Sequence, residues 1–417
     1  MPLNQTGRPI DDVIADLRAK QAGDARWREG RTFGLVFDGG PEVHEVAERA
    51  AQLFLHENAL NTKAFPSLGE LQAEVVRWTA DLLHGPSGAA GFMTSGGTES
   101  ILCAVLAARE RGRKERGITQ PHMVVPESAH AAFHKAAHLF GIELTKTPVK
   151  ADWTADVEAM AAAITPDTVL LVGSAPQFPQ GVVDDIPAIA ALAQAAGANC
   201  HADACMGGFV LPFAEMLGRP TPPWDFRVEG VSSISADVHK LGYAPKGASV
   251  VLYRDRDLRA HQTFVFDGWL GGFYASPNLQ GSRPGLPMAA AWAVMSHLGV
   301  DGYLRLTDAT LRCADRLRAA IRATPGLRVL GDDAYHLVAM ASDPAAAHPI
   351  DVFALGDALA RRGWLHDRQG PPDSLHATVS AGNARVMDLY LAEFEDSVAE
   401  VTGRRAADRS TDYATLE

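Results

Sequence analysis

An α/β fold is predicted for this chain: a large domain with a mostly parallel sheet covered by helices on both faces, then a small C-terminal α/β domain. Three patterns in the sequence lead there. From about 61 to 290, short apolar runs alternate with helical stretches, as in sheets whose strands are buried on both sides. Within that region Thr168-Val169-Leu170-Leu171-Val172-Gly173 has almost no polar break, the mark of a buried strand. Beyond about 291 the rhythm changes to longer helices and fewer strands.

Taken in order, residues 1–60 predict an N-terminal helical arm, because Ile10, Val13, Ile14 and Leu17 fall at helical spacing, as do Val43, Val46, Ala47 and Ala50. Between them, 30–40 is a turn-rich stretch carrying Phe33, Leu35, Val36 and Phe37. The large domain is expected over 61–290. Its Ala-rich segment from Pro187 to Ala196 predicts a helix; Asn199 to Ala204, Ser232 to Asp237 and Ser249 to Tyr253 predict further strands. The small domain is expected over 291–417. Leu311, Ala314, Leu317 and Ile321 mark one of its helices, and Leu389, Leu391, Phe394 and Val398 another. Leu327 to Leu330, Leu337 to Ala341 and His376 to Ser380 read as its strands, and the polar tail after Gly403 as a frayed end.

Bulk properties exclude several classes. The 417 residues are 47% hydrophobic and 21% charged, ample for a core, and the net charge of −12 gives no basic footprint for nucleic acid or an anionic membrane. No run reaches the ~18 apolar residues of a membrane span; the stretch from Ile186 to Ala198 is broken by Pro187 and Gln194. The first residues, Met1 to Gln5, lack a charged-then-apolar leader, so a soluble cytoplasmic protein is expected. Cys103, Cys200, Cys205 and Cys313 form no disulfide framework. Cys200 and His201 would diverge on a strand, which argues against a metal there.

The chemistry centres on Lys240, in Ser235-Ala236-Asp237-Val238-His239-Lys240-Leu241-Gly242-Tyr243-Ala244-Pro245-Lys246-Gly247. A lysine leaving a small-residue strand ahead of a Gly/Pro turn can condense with a carbonyl and so anchor pyridoxal 5'-phosphate. Upstream, Ser95-Gly96-Gly97-Thr98-Glu99-Ser100 opens a helix and could cradle a phosphate on its free N–H groups. It could equally be a plain helix cap. A helix end offers only about 0.3–2 kcal/mol, whereas micromolar retention needs about 8 kcal/mol, so other anchors are required. Asp203, at the C-terminal end of a predicted parallel strand, could keep a pyridine nitrogen protonated, or merely cap a turn. His130 could stack on such a ring and move protons, or be structural. His239 is a candidate phosphate donor, and Gly281-Ser282-Arg283-Pro284-Gly285 is a second glycine-rich loop suited either to a phosphate or to a simple turn.

Together these stretches resemble the sphingosine-1-phosphate lyase family, within the pyridoxal-phosphate-dependent group II decarboxylase superfamily of fold type I. The likeness runs through Thr94 to Leu102, Glu127 to Ala137, Gly173 to Gly181, His201 to Gly208, Asp225 to Tyr253 and Phe273 to Gly285. It implies a homodimer with active sites at the subunit interface and a small-molecule amine substrate carrying a phosphate. Lys240 would carry the cofactor, Asp203 would meet the ring nitrogen and His130 would cover the ring. Gly96, Gly97, Thr98 and His239 would hold the phosphate, with Gly281 and Ser282 arriving from the partner. Lys246 and Tyr274 match a family lysine and tyrosine near the substrate, and join Lys240 and His130 as implied catalytic residues. The implied reaction is retro-aldol cleavage of a phosphorylated long-chain β-hydroxy amine to a fatty aldehyde and phosphoethanolamine.

Two departures concern the substrate side. A family tyrosine is Phe37 here, closing Gly34-Leu35-Val36-Phe37, and a family His-Pro-Asp is Asn61-Thr62-Lys63. Loss of an acid–base tyrosine costs about 10²–10⁴ in rate unless Tyr274, Lys246 or His130 takes over. The alternatives are an amino-acid decarboxylase, a lyase for a different anionic β-hydroxy amine, a silent partner subunit, or a metal-dependent hydrolase built on His201, Asp203 and Cys205.

Overall fold

The computed structural model describes residues 3–331, 335–411 and 413. Seven strands form the main sheet: β1 (Ala90–Thr94), β2 (His122–Pro126), β3 (Glu143–Thr147), β4 (Thr168–Ser174), β5 (Asn199–Asp203), β6 (Val231–Ala236) and β7 (Ser249–Tyr253). Their order is β1-β7-β6-β5-β4-β2-β3. The run from β6 to β3 pairs in parallel, whereas β7 is antiparallel to both of its neighbours. Strands β4 to β7 are buried at every position, which explains why β4 and β7 are largely apolar without alternation and why β5 and β6 otherwise carry only small or hydrogen-bonded polar residues. The core beneath includes Leu68, Val124, Leu171, Ile189, Ala202 and Ile234.

A hairpin of β8 (Phe264–Phe266) and β9 (Tyr274–Ser276) follows. The second sheet has the order β10-β11-β13-β12, from β10 (Leu327–Leu330), β11 (Leu337–Ser342), β12 (Asp367–Gln369) and β13 (Ser374–Thr378), all antiparallel. Its core gathers Leu317, Ile321, Phe353, Leu375, Tyr390 and, from the N-terminal segment, Phe33. The turn-rich stretch of the arm thus packs into the C-terminal unit, and Thr32 bridges to Leu365.

One helix, Leu286–Ala323, serves both sheets. The division expected at 290/291 falls inside it. It bends at Gly299, whose φ of 53° is in the left-handed region. Tyr303, Leu306 and Leu311 beyond the bend still pack in the large core, and only Cys313, Ala314, Leu317 and Ile321 join the small one. The tail after Gly403 corrects the expected fraying: as far as Thr411 it is irregular but tied down by ion pairs of Arg409 to Asp351 and Asp373.

Candidate active site

Parallel strands end on one side of a sheet, and the chain-turns there are where α/β proteins collect ligand-binding groups. Asp203 is the last residue of β5 and is buried. Its Oδ1 accepts from the Cys205 N–H at 3.1 Å and from the Ser235 hydroxyl at 3.2 Å. His130 follows β2, just ahead of the helix Ala132–Phe140. Its Nδ1 accepts from the Ala132 N–H at 3.1 Å. Burial lowers its pKa, against the attraction of Asp203. The neutral ring therefore carries its proton on Nε2, which donates to the Tyr413 hydroxyl at 3.2 Å.

Lys240 leaves β6 in a tight turn whose backbone closes on itself: Lys240 N–H to the Asp237 carbonyl, Tyr243 N–H to that of Lys240, and Ala244 N–H to that of Val238. Gly242 is required there, since a Cβ would stand 2.4 Å from the Val238 oxygen. The Lys240 ammonium donates to Asp237 Oδ2 at 2.9 Å. Burial disfavours the charge, but the Asp237 carboxylate outweighs it and holds the lysine above its usual range. Asp237 itself is buried, which opposes its charge, but Lys240 outweighs that and keeps its pKa below the usual carboxylate range. Nothing in the sequence marked Asp237 as more than a strand-end acid.

The glycine turn meets this cluster. Gly97 begins the helix Gly97–Arg116, and a Cβ on it would stand 2.8 Å from both Asp237 Oδ2 and Cys205 Sγ. Thr98 is the next residue of that first turn. Glu99 caps the turn, accepting from Ser95 N–H at 2.7 Å and also from Leu279 N–H at 3.2 Å. A Cβ on Gly96 would lie 3.4 Å from the His239 ring. His239 Nδ1 is buried with no hydrogen-bond partner, and burial takes its pKa down to about 4. An orphaned ring nitrogen facing free helix N–H groups suits an anion at this spot. Lys246 donates to the His239 carbonyl at 2.9 Å and lies 4.6 Å over the Phe37 ring. Burial and the charge of Lys240 bring its pKa down to about 8.

A cavity of about 20 Å³ remains among His130, Ser174, Phe178, Asp203, Lys240 and Tyr413. A wider cleft of about 1140 Å³, beside Trp153, Arg219 and Arg328, holds none of the candidate residues. Tyr274, Gly281 and Ser282 sit elsewhere in the same chain. Tyr274 packs on Phe264 and Trp269, and the Ser282 hydroxyl accepts from Asn58 at 3.2 Å. The metal reading lacks a ligand set: both nitrogens of His201 are engaged by Ser233 and Ser235, and no metal-holding group of side chains occurs among the described residues. Sequence reasoning also missed Phe178 and Tyr413, neither of which carries a local signal.

A parallel sheet whose strand ends converge on a half-buried lysine, an acid and a histidine defines a pyridoxal-phosphate-dependent enzyme of fold type I. The pattern of the pyridoxal-dependent decarboxylase conserved domain matches residues 5–341. Sphingosine-1-phosphate lyase of Oryza sativa subsp. japonica is 41% identical over 399 residues, covering 94% of this chain and 73% of that protein. Sphingosine-1-phosphate lyase 1 of Rattus norvegicus is 41% identical, covering 95% and 69%. The solved sphingosine-1-phosphate lyase of Burkholderia pseudomallei K96243 superposes with a TM-score of 0.91 at 40% identity, over 96% of this chain and 93% of that one. A glutamate decarboxylase of Lactobacillus brevis shares the fold, with a TM-score of 0.85 at 20% identity. The chain belongs to the sphingosine-1-phosphate lyase family of pyridoxal-phosphate-dependent lyases.

Proposed function

We propose that this protein cleaves the Cα–Cβ bond of a phosphorylated long-chain β-hydroxy amine, releasing a fatty aldehyde and phosphoethanolamine. The observation that carries the reading is the convergence of His130, Asp203 and Lys240 on one pocket, in a chain so similar throughout to lyases of this kind. When bound, pyridoxal phosphate supplies the electron sink for the breaking bond. Lys240 would hold it covalently, Asp203 would face its ring nitrogen and His130 would cover the ring. Gly96, Gly97, Thr98 and His239 would take its phosphate on the helix N-terminus. Lys246, with a pKa brought down to about 8, can pair with an anionic substrate group or pass a proton near neutral pH.

The same reading makes the protein a homodimer. The β8–β9 hairpin leaves Phe264, Phe266, Trp269, Leu270 and Phe273 exposed, and the helix Ile10–Lys20 buries no residue. Apolar surface of this extent is usually covered in the working assembly. Tyr274, Gly281 and Ser282 border that surface and would reach the partner's site. No helix among the described residues is long and apolar enough to cross a membrane, and the four cysteines are free and buried; both accord with the cytoplasm.

A different anionic β-hydroxy amine is the second reading, favoured by Phe37 under Lys246 and by Asn61-Thr62-Lys63 in place of the family's His-Pro-Asp. Both are tested by offering sphingosine phosphate, other β-hydroxy amine phosphates and amino acids separately, and measuring aldehyde and carbon dioxide. Aldehyde from a phosphorylated amine is expected. Carbon dioxide from an amino acid without any aldehyde would replace the lyase with a decarboxylase. Phe37→Tyr is expected to raise sphingosine-phosphate cleavage if the pocket has diverged.

A further inference from the structure

The N-terminal arm meets the lysine turn beside one buried acid that lines no part of the lysine pocket. Asp38 is 3% exposed, and its partners come from separate parts of the chain. Oδ1 accepts from the Gly40 N–H at 2.8 Å and lies 3.1 Å from His44 Nε2, which must carry the proton because a carboxylate only accepts. Oδ2 pairs with Arg385, between the helices Ala381–Ala384 and Met387–Val401 of the small unit. Burial opposes the charge, but the bonds from His44, Arg385 and Gly40 outweigh it and bring the pKa down to about 2. The fit is close: a Cβ on Gly382 would stand 2.8 Å from Asp38 Cβ. Asn383 donates from Nδ2 to the Gly30 and Thr32 carbonyls, both at 2.9 Å. The small unit therefore grips the arm on either side of residues 33–37.

The neighbours of Asp38 rest on the turn that carries both lysines. Phe37 packs on the large core, with its ring centroid 4.6 Å from Lys246 Nζ. A Cβ on Gly39 would stand 3.1 Å from the Tyr243 ring. Tyr243 closes the turn on the Lys240 carbonyl at a φ of 61°, a strained conformation for a bulky residue that its surroundings must hold in place.

We infer that Asp38 is a positioning residue: anchored by Arg385 and His44, it presses Phe37 and Gly39 onto the turn between Lys240 and Lys246, and so fixes the Lys246 ammonium for an anionic group of the substrate. The role given to Lys246 rests on the lyase reading, whereas the brace on the turn does not. A cation on a flexible four-carbon stem binds an anion more tightly when it is placed beforehand. The effect therefore belongs in KM rather than kcat.

The test compares the wild-type holoenzyme with two variants. Asp38→Asn keeps the shape and the acceptor for Gly40 but drops the charge. Arg385→Ala removes the partner from a side chain that is 46% exposed and leaves Asp38 in place. Hydrogen exchange followed by mass spectrometry should be about 10-fold faster in both variants, in residues 240–247 as well as 33–40. Absorbance near ~420 nm and the borohydride label on Lys240 should persist. Unchanged exchange over 240–247 in both would overturn the brace, because a merely local role loosens 33–40 alone. With sphingosine phosphate, Asp38→Asn should raise KM about 10-fold and leave kcat within about twofold. In a Phe37→Ala background the same change should add less than about twofold. A fall in kcat at unchanged KM, or full additivity with Phe37→Ala, would overturn the positioning of Lys246. No aldehyde from any phosphorylated amine would overturn the lyase reading and the role of Lys246 with it, while exchange over 240–247 still decides the brace.

Discussion

A half-buried amine beside a buried carboxylate is an unreactive pair until its proton leaves. Lys240 and Asp237 form such a pair, with Nζ and Oδ2 at 2.9 Å. Because the lysine is held above its usual range, the neutral, nucleophilic amine is scarce at neutral pH. Its proton stabilises the fold below the ordinary lysine value, and that contribution disappears only as pH climbs through the raised one. Covalent loading should therefore speed up about tenfold per pH unit through the neutral and mildly alkaline range, since each unit multiplies the free amine by ten. Asp237→Asn removes the counter-charge, so burial alone then acts and lowers the lysine pKa. That variant should load at least about 10-fold faster at pH 7 with a flatter pH profile; a profile identical to wild type would exclude the ion pair as the control. Lys240 itself could be read from its sequence neighbours. Asp237 could not, because its burial depends on the glycine turn and on β7 packing over it from distant parts of the chain.

Secondary elements show the same division between local and long-range information. Strands β4 and β7 were legible because burial on both faces leaves a run of largely apolar residues, and β10 likewise matched its expected limits. By contrast β3, Glu-Leu-Thr-Lys-Thr, lies at the sheet edge with only one residue buried, and its sequence has no strand signal. The helix Leu286–Ala323 was legible only over its C-terminal part, because Gly299 interrupts its period. The β8–β9 hairpin is too short to announce itself, yet its exposed aromatics are the strongest sign of assembly in the molecule. Replacing Trp269 and Phe273 by Asp should leave the isolated chain folded, because neither supports a core, and should produce monomers in sedimentation velocity. If Gly281, Ser282 and Tyr274 act across the interface, turnover falls together with the dimer. Dimers that survive this double change would move the interface elsewhere.

Taken whole, both ends of the chain come to rest against the lysine cluster of the large unit. Phe37 reaches Lys246 from the arm, and Tyr413 reaches His130 from the other end of the chain. Neither could be placed from local sequence, since each depends on where a distant segment comes to rest. Arg219 and Asp315, at 2.6 Å, add a polar tie between the large unit and the shared helix. That helix gives Tyr303 and Leu306 to one core and Leu317 and Ile321 to the other, on the same side of its bend. Neither sheet can lose its packing without stripping a face from the element that the other also needs. Melting should accordingly be cooperative, with one calorimetric peak whose van't Hoff and measured enthalpies agree within each subunit. Two resolved peaks would mean that the helix carries no stability across the stretch between Leu311 and Cys313, where one core gives way to the other.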